Sequence, residues 1–538
     1  MADVTAGGPG ADGAAAGGSS GSTPGGAPGG TSSGTSSGPG RDRPAATPAG
    51  RLALPVRWTG RLIAAHRWFA IVLALAAALR VVVMLGYPPI LWFNDSYTYI
   101  TDTVTKTPDV VRSNGYPLLL FILLPFRSLT LIAALQALFG LAMGTAVYAV
   151  LRRRGLPWWG ATLSALPVLF DVFELQLEHM VMSDVLFTFL ITVALVALCW
   201  SDQPSLVTCV IVGLVIGYAA IVRSVGEPLL IVVAVLLLVR RVNWKRAGAM
   251  LVVGLLPIVG YMAWYHSFYG QYALDTSSGT FLYSRVSTFA ECAKMTLPND
   301  LRVLCDPKPP SQRSGSQQYL WDTSTPLYKL TKGNNFTEQA NSIAGKFAKA
   351  AIESQPWAYT QTVWDDTMHT FTWDRGQSDL TGSGPSYRFR AQVDAMPWWA
   401  TYYPEDKASL LKYGGPSMGQ PKVVKPWSSI IQGYQNVVYV RGPVLAAILA
   451  LGLAGVVVRW RRWGGVTLMP WVVAMVLVLL PPLTAGFSYR YVTATIPIAC
   501  LAAGLACTRE PRRSRKAVAA AVAREQAVGA EEPASARS

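Results

Sequence analysis

Apolar residues in this chain gather into blocks of roughly 18 to 23 residues. At 1.5 Å of rise per residue, a helix of that length crosses the ~30 Å hydrocarbon core of a bilayer. Such blocks leave few folds open. A barrel strand alternates over about ten residues instead of running apolar. Only 14% of the 538 residues are charged, against about 25% in soluble domains. An ordinary soluble enzyme and a disordered or fibrous chain are excluded. The pattern predicts an all-α polytopic membrane protein.

Ten spans are expected, at about 68–87, 129–151, 158–175, 183–200, 206–223, 227–240, 246–266, 441–459, 466–484 and 490–507. The span at 227–240 is short. Segment 117–127 is apolar but interrupted by Pro117 and Pro125. It reads as a helix lying on or dipping into the membrane surface, with an eleventh span as the alternative. Among residues 1–50, 43 are Gly, Ser, Ala, Pro or Thr and none is aromatic. Segment 1–65 is therefore expected to be a disordered tail, and its lack of an apolar stretch argues against a signal peptide.

The formal net charge is +16, and where it sits decides its meaning. Arg152, Arg153 and Arg154, then Arg240, Arg241, Lys245 and Arg246, then Arg459, Arg461 and Arg462 fall on alternate connections, as do Arg57 and Arg61 before the first span. The C-tail, 508–538, adds Arg509, Arg512, Arg513, Arg515 and Lys516. The connections 172–182, 224–226 and 485–489 contain no Lys or Arg. This is the positive-inside pattern. It predicts a multi-pass cell-membrane protein with both termini cytoplasmic, and it accounts for the basic charge without nucleic acid.

Two segments are then extracytoplasmic. The first is the loop 88–128, within a transmembrane module at 66–266. The second is 267–440, 174 residues with 16 Lys or Arg against 14 Asp or Glu, large enough for a domain of mixed secondary structure. The helices of 441–507 follow it. The outer domain carries Trp321, Trp357, Trp364, Trp373, Trp398, Trp399 and Trp427, suited either to stacking on sugar rings or to anchoring at the membrane surface. Of six cysteines, only Cys292 and Cys305 fall in it. A disulfide between them is expected, because an oxidising compartment permits one and a zinc site needs more ligands.

Polar groups at membrane depth are costly and are usually functional or mutually paired. The informative ones cluster on the outer face. Asp95 sits in Asn94-Asp95-Ser96 within an aromatic stretch. A shielded carboxylate there gains basicity suited to general-base work, or it simply caps the following helix. Arg112-Ser-Asn-Gly-Tyr116-Pro117 forces a tight turn back toward the membrane. Glu174, Glu178, His179 and Asp184 gather at the next outer junction. Glu178 and His179 either share a polar pocket or are structural, and Asp184 either acts or complements a helix dipole. Arg223 has Glu227 four residues on, the spacing of a helical ion pair. Tyr489-Arg490-Tyr491 is suited to gripping a phosphate. Arg80, inside the first span, must face the bundle or snorkel. No P-loop, HExxH or GxSxG motif is present, so ATP-driven transport, a zinc protease and a hydrolase elbow lack support.

The basic N-terminus, the first span, an Asp early in the first outer loop, the Gly115-Tyr-Pro-Leu-Leu-Leu run, Met182-Ser-Asp-Val-Leu-Phe and the Tyr-Arg-Tyr start of a late span together resemble the GT-C superfamily of integral-membrane glycosyltransferases. The chain is most similar to its phospholipid-carrier-dependent branch, with the protein O-mannosyltransferases and the lipid A aminoarabinose transferase. The resemblance implies a GT-C fold with about 10 (10–11) transmembrane helices and transfer of a hexose or pentose, with inversion, from a polyprenyl-phosphate-linked sugar donor to a cell-envelope acceptor. It implies Asp95 as catalytic base. Substrate binding would fall to Arg112, Tyr116, Glu178, His179, Asp184, Arg223, Tyr489 and Arg490. Asp95, Glu178 and Asp184 are candidates to hold a divalent cation, and no other cofactor is implied. Membrane lipid is an expected partner. A lipid or solute transporter and a non-catalytic cell-envelope assembly factor are the alternatives. The first would be favoured by inverted repeats, which the sequence does not display.

Overall fold

A computed structural model describes residues 66–373, 388–393 and 404–508, all within one compact unit, Ile63–Ser538. The expected tails 1–65 and 508–538, Thr508 apart, lie outside the described residues, as do Trp398 and Trp399.

Each apolar block forms a helix. In chain order these are α1 (Arg67–Gly86), α2 (Asn94–Thr105), α3 (Gly115–Leu123), α4 (Leu129–Arg153), α5 (Trp158–Phe170), α6 (Val172–Glu178), α7 (Ser183–Cys199), α8 (Leu206–Val222), α9 (Gly226–Val239) and α10 (Trp244–Tyr269). After short helical turns come α11 (Ser278–Val286), α12 (Glu338–Ser354), α13 (Pro356–His369), α14 (Pro404–Gly414), α15 (Trp427–Gln435), α16 (Gly442–Val458), α17 (Leu468–Thr484), α18 (Tyr489–Thr493) and α19 (Thr495–Ala506). Among the described residues, five segments are long and apolar enough to cross a membrane: Arg67–Gly86, Leu129–Arg153, Trp244–Tyr269, Gly465–Thr484 and Tyr489–Ala506. The pair α5 and α6 makes a sixth if it counts as one span, bent by 54°. Helices α7, α8 and α16 have 17 residues and α9 has 14. They reach about 21–26 Å, short of a ~30 Å core unless extended by their flanks. Helix α3 with its following turn, Gly115–Phe126, is shorter again. Exposed Ile71, Leu75 and Val81 on α1, and Val252, Leu256 and Val259 on α10, form an apolar surface suited to lipid.

Two expectations change. Block 158–175 is not one straight helix. Pro167 lies inside α5, and Asp171 takes extended dihedrals while its side chain accepts from the Phe173 and Glu174 amides, so α6 starts afresh at an angle. Segment 267–440, expected to be of mixed structure, contains only helices and turns among its described residues. The packing is helical: Ala344, Phe347, Ala348 and Ala351 on α12 recur at helical spacing and pack with Tyr283 and Val286 of α11 in a second apolar core.

That core is tied to the apolar helices by an ion pair invisible in the sequence. Arg285 and Asp366 are buried and 2.8 Å apart, with Arg285 Nε donating to the Pro482 carbonyl and the Phe487 amide donating to Asp366. Cys292 and Cys305 are bridged, with Cα atoms 6.1 Å apart. Thiol alkylation of unreduced, denatured protein should leave both unlabelled, whereas labelling of both would exclude the bridge.

The arginines read as topology signals have local partners too. Arg154 and Arg240 donate to the Cys199 and Leu198 carbonyls at the end of α7, and Arg459 to those of Leu505 and Ala506 at the end of α19. Cations there satisfy orphan carbonyls and complement the helix dipole.

Candidate functional site

The site is built where the loop after α1 is stitched to the junction before α7. The Leu91 amide donates to the His179 carbonyl and the Val181 amide to that of Leu91. Ser96, in the first turn of α2, accepts from the Phe93 amide and donates to the Val181 carbonyl. Tyr99 and Ser183 hydroxyls lie 3.0 Å apart. These bonds bring the N-termini of α2 and α7 together, and with them Asp95 and Asp184.

Asp95 is 5% exposed. Its Oδ1 accepts from Arg112 Nη2 at 2.7 Å and its Oδ2 from Arg490 Nη1 at 2.7 Å. Arg112 also lies 3.7 Å from Asp109. Asp184 is paired with Arg223. The Arg223 and Arg490 guanidiniums sit 5.1 and 5.2 Å from the centroid of the same Tyr491 ring, and Arg490 also lies over Phe93. Three arginines thus gather with three aspartates, Asp95, Asp109 and Asp184, and Tyr491 joins the Asp95–Arg490 and Asp184–Arg223 pairs. Tyr491 also lines a narrow, largely apolar crevice with Leu477, Val478, Pro481 and Val492.

Burial acts to raise the Asp95 carboxyl, but Arg112 and Arg490, with Arg223 beyond them, outweigh it and hold it well below the usual carboxylate range. This corrects the expectation of raised basicity. Burial was legible in the aromatic flanks of Asp95. The two guanidiniums, 17 and 395 residues away, were not. The capping alternative is corrected as well: Phe93 is the N-cap of α2, and the Asp95 carboxylate is spent on arginines.

Arg223 does not pair with Glu227. A pair at that spacing needs one continuous helix. Arg223 instead has extended dihedrals after α8, and α9 restarts at Gly226. The break turns the Arg223 side chain toward Asp184.

Glu178 and His179 part company. Glu178 accepts from Arg80 at 2.6 Å, both side chains being almost fully buried. Arg80 also donates to the Ala76 and Leu169 carbonyls. The His179 Nε2 lies 2.7 Å from the Tyr87 carbonyl. A carbonyl only accepts, so Nε2 carries the proton. Burial pushes the imidazole down to about 4, so the ring is neutral and holds the loop in place. Tyr116 donates to Gln136, whose amide donates to the Glu178 and Met180 carbonyls. Tyr116, Glu178 and His179 therefore support the site from behind. Tyr489 is buried with its ring 4.1 Å from that of Phe173. Gln136 and Asp171 carry much of this scaffold, and no motif marked them.

The carboxylates of Asp95, Glu178 and Asp184 do not converge on a cation. Each is paired with an arginine, and no group of three His, Cys, Asp or Glu suited to a metal occurs among the described residues.

Gly115 explains the tight turn. A Cβ there would lie 2.4 Å from the Ile221 carbonyl oxygen. Only glycine lets the segment after Arg112 press against the end of α8, two residues before Arg223. Tyr218 fixes the approach by donating to the Gly115 carbonyl. Gly115→Ala should push these backbones apart. Its expected cost is about 1–3 kcal/mol, as in overpacked cores, read as a lowered melting temperature. An unchanged melting temperature would contradict the close approach.

Compared with known proteins, the chain matches no family profile, no curated protein and no solved structure.

Proposed function

We propose that the chain is a membrane glycosyltransferase that moves a sugar from a polyprenyl-phosphate carrier to a hydroxyl of a cell-envelope glycan, lipid or protein. The observation that carries this reading is the Asp95 carboxylate bridging Arg112 and Arg490, with Arg223 across the Tyr491 ring. Guanidinium forks suit a phosphate. Apolar helices suit a carrier chain that stays in the bilayer. The sequence resemblance to GT-C transferases points the same way.

In this reading the shorter helices also span, giving about ten, with both termini cytoplasmic and 267–440 extracytoplasmic. The donor phosphate enters among Arg112, Arg223 and Arg490 and draws them from the aspartates. Asp95, released from its arginines, regains basicity. The acceptor oxygen attacks the anomeric carbon from the face opposite the phosphate. The new C–O bond forms as the bond to phosphate breaks, and the hydroxyl proton passes to Asp95. The arginines stabilise the departing polyprenyl monophosphate. The energy comes from the donor bond, so no nucleotide is required.

The phosphate cradle is tested by binding of polyprenyl monophosphate to the purified full chain in nanodiscs, read by native mass spectrometry. Arg490→Met and Arg223→Met are each expected to weaken it by about tenfold or more, the value of a charged hydrogen bond. Equal retention by wild type and both variants would overturn the cradle.

A further inference from the structure

A polar cavity of about 190 Å³ is lined by Val172, Phe173, Arg388, Gln435, Asn436, Tyr439 and Arg441. It far exceeds the ~10–15 Å³ that one water needs, and it is smaller than the ~300–1,000 Å³ of a drug-sized site. That leaves room for a single small ring.

Its walls are fixed by buried polar contacts. Asp171 holds one corner: its carboxylate accepts from the Phe173, Glu174 and Val440 amides, and the Val172 amide donates to the Val438 carbonyl. Gln435 holds another: its side-chain amide accepts from the Phe389 amide at 2.9 Å and donates to the Phe389 carbonyl at 3.0 Å, which sets Arg388 at the rim. The Arg441 guanidinium lies 4.3 Å from the Tyr439 ring centroid and 4.8 Å from that of Trp373, and it donates to the Tyr439 hydroxyl. Neither Arg388 nor Arg441 has a carboxylate partner among the described residues. The nearby Asp171 is 2% exposed and committed to the backbone. Two cations and two aromatic side chains thus line one cavity, and neither cation forms an ion pair with a carboxylate among the described residues.

Aromatic faces beside amide groups suit a sugar ring, and guanidiniums suit a carboxylate or phosphate on it. We propose that this cavity binds a saccharide unit carrying an anionic substituent. The Phe173 ring lines the cavity and also packs on Tyr489, the neighbour of Arg490. The cavity therefore adjoins the Asp95 cluster and would seat the acceptor glycan. That role rests on the transferase reading, whereas binding itself does not.

The test is titration of the purified full chain in nanodiscs with glucuronate, glucose 6-phosphate, glucose and inorganic phosphate, followed by saturation-transfer NMR and calorimetry. The two anionic sugars should bind at least about tenfold more tightly than glucose or inorganic phosphate. Arg388→Gln, at the rim and outside the packed core, should remove about tenfold of that preference, and Arg441→Gln at least as much. Equal binding of glucuronate and glucose, equal binding of glucose 6-phosphate and inorganic phosphate, no binding of either anionic sugar, or a preference that survives Arg388→Gln would each overturn the proposal. Sugar binding without transfer from any polyprenyl-phosphate donor would uphold the cavity and refute only the transferase reading. Transfer with no sugar binding here would do the reverse.

Discussion

Asp95→Asn is expected to lower the rate of sugar transfer by about 10²–10⁴-fold, the usual contribution of a general base, while leaving polyprenyl monophosphate bound as tightly or more tightly. The two halves of that outcome have one cause. Asp95 occupies Arg112 and Arg490 in the ligand-free protein. The neutral amide cannot take the acceptor proton, yet it competes less with phosphate for the same guanidiniums. A residue that only held the fold together would lose binding and transfer in parallel. The pH dependence follows from the direction of the Asp95 shift. A carboxyl held below its unfolded value of about 3.9 contributes stability above that pH and loses the contribution as pH falls through the folded value. The stability difference between wild type and Asp95→Asn should therefore be constant from neutrality down to about pH 4 and shrink below it. A difference that shrinks between pH 5 and 7 would contradict the arginine pairing.

The second large effect lies behind the site. Arg80 and Glu178 are 3% and 2% exposed, and breaking a buried pair leaves an uncompensated charge. Glu178→Gln or Arg80→Met should each cost about 3–5 kcal/mol. Replacing both together, as Arg80→Met with Glu178→Leu, should cost less than either single change, because no charge is then stranded. Melting of the purified variants reads this, and a double variant as unstable as the sum of the singles would contradict it. The helix between them leaves no slack: a Cβ on Gly140 of α4 would lie 1.7 Å from Glu178 Oε1. The consequence reaches the site, since the Glu178 and Met180 carbonyls receive the Gln136 amide and the Met180 neighbours carry the bonds to the Asp95 loop.

Helices were legible in the sequence and partners were not. Block length and turn residues are local properties, so α1, α4 and α10 lie close to where the apolar runs put them. The same local reasoning missed the kink at Asp171, because a residue that accepts three backbone amides from two segments looks like any other loop aspartate. Asp95, Asp184, Arg223 and Arg490 were singled out by their rarity at the ends of apolar helices, and the fold brings all four together. Which carboxylate meets which guanidinium depends on where helices stop. Arg223 turned away from Glu227 because α8 ended one residue before it. Glu178 and His179 are sequence neighbours, yet one reaches into α1 and the other to the loop that follows it.

If the Asp95 cluster moves sugar from a polyprenyl-phosphate carrier, donor turnover must depend on that carboxylate. The most direct measurement follows a panel of labelled polyprenyl-phosphate hexoses and pentoses incubated with the purified chain in nanodiscs and a cell-envelope glycan extract. At least one donor should be consumed, free polyprenyl monophosphate should appear with the sugar transferred or hydrolysed, and Asp95→Asn should abolish this turnover. Intact donors throughout, or turnover undiminished in Asp95→Asn, would contradict the transferase reading.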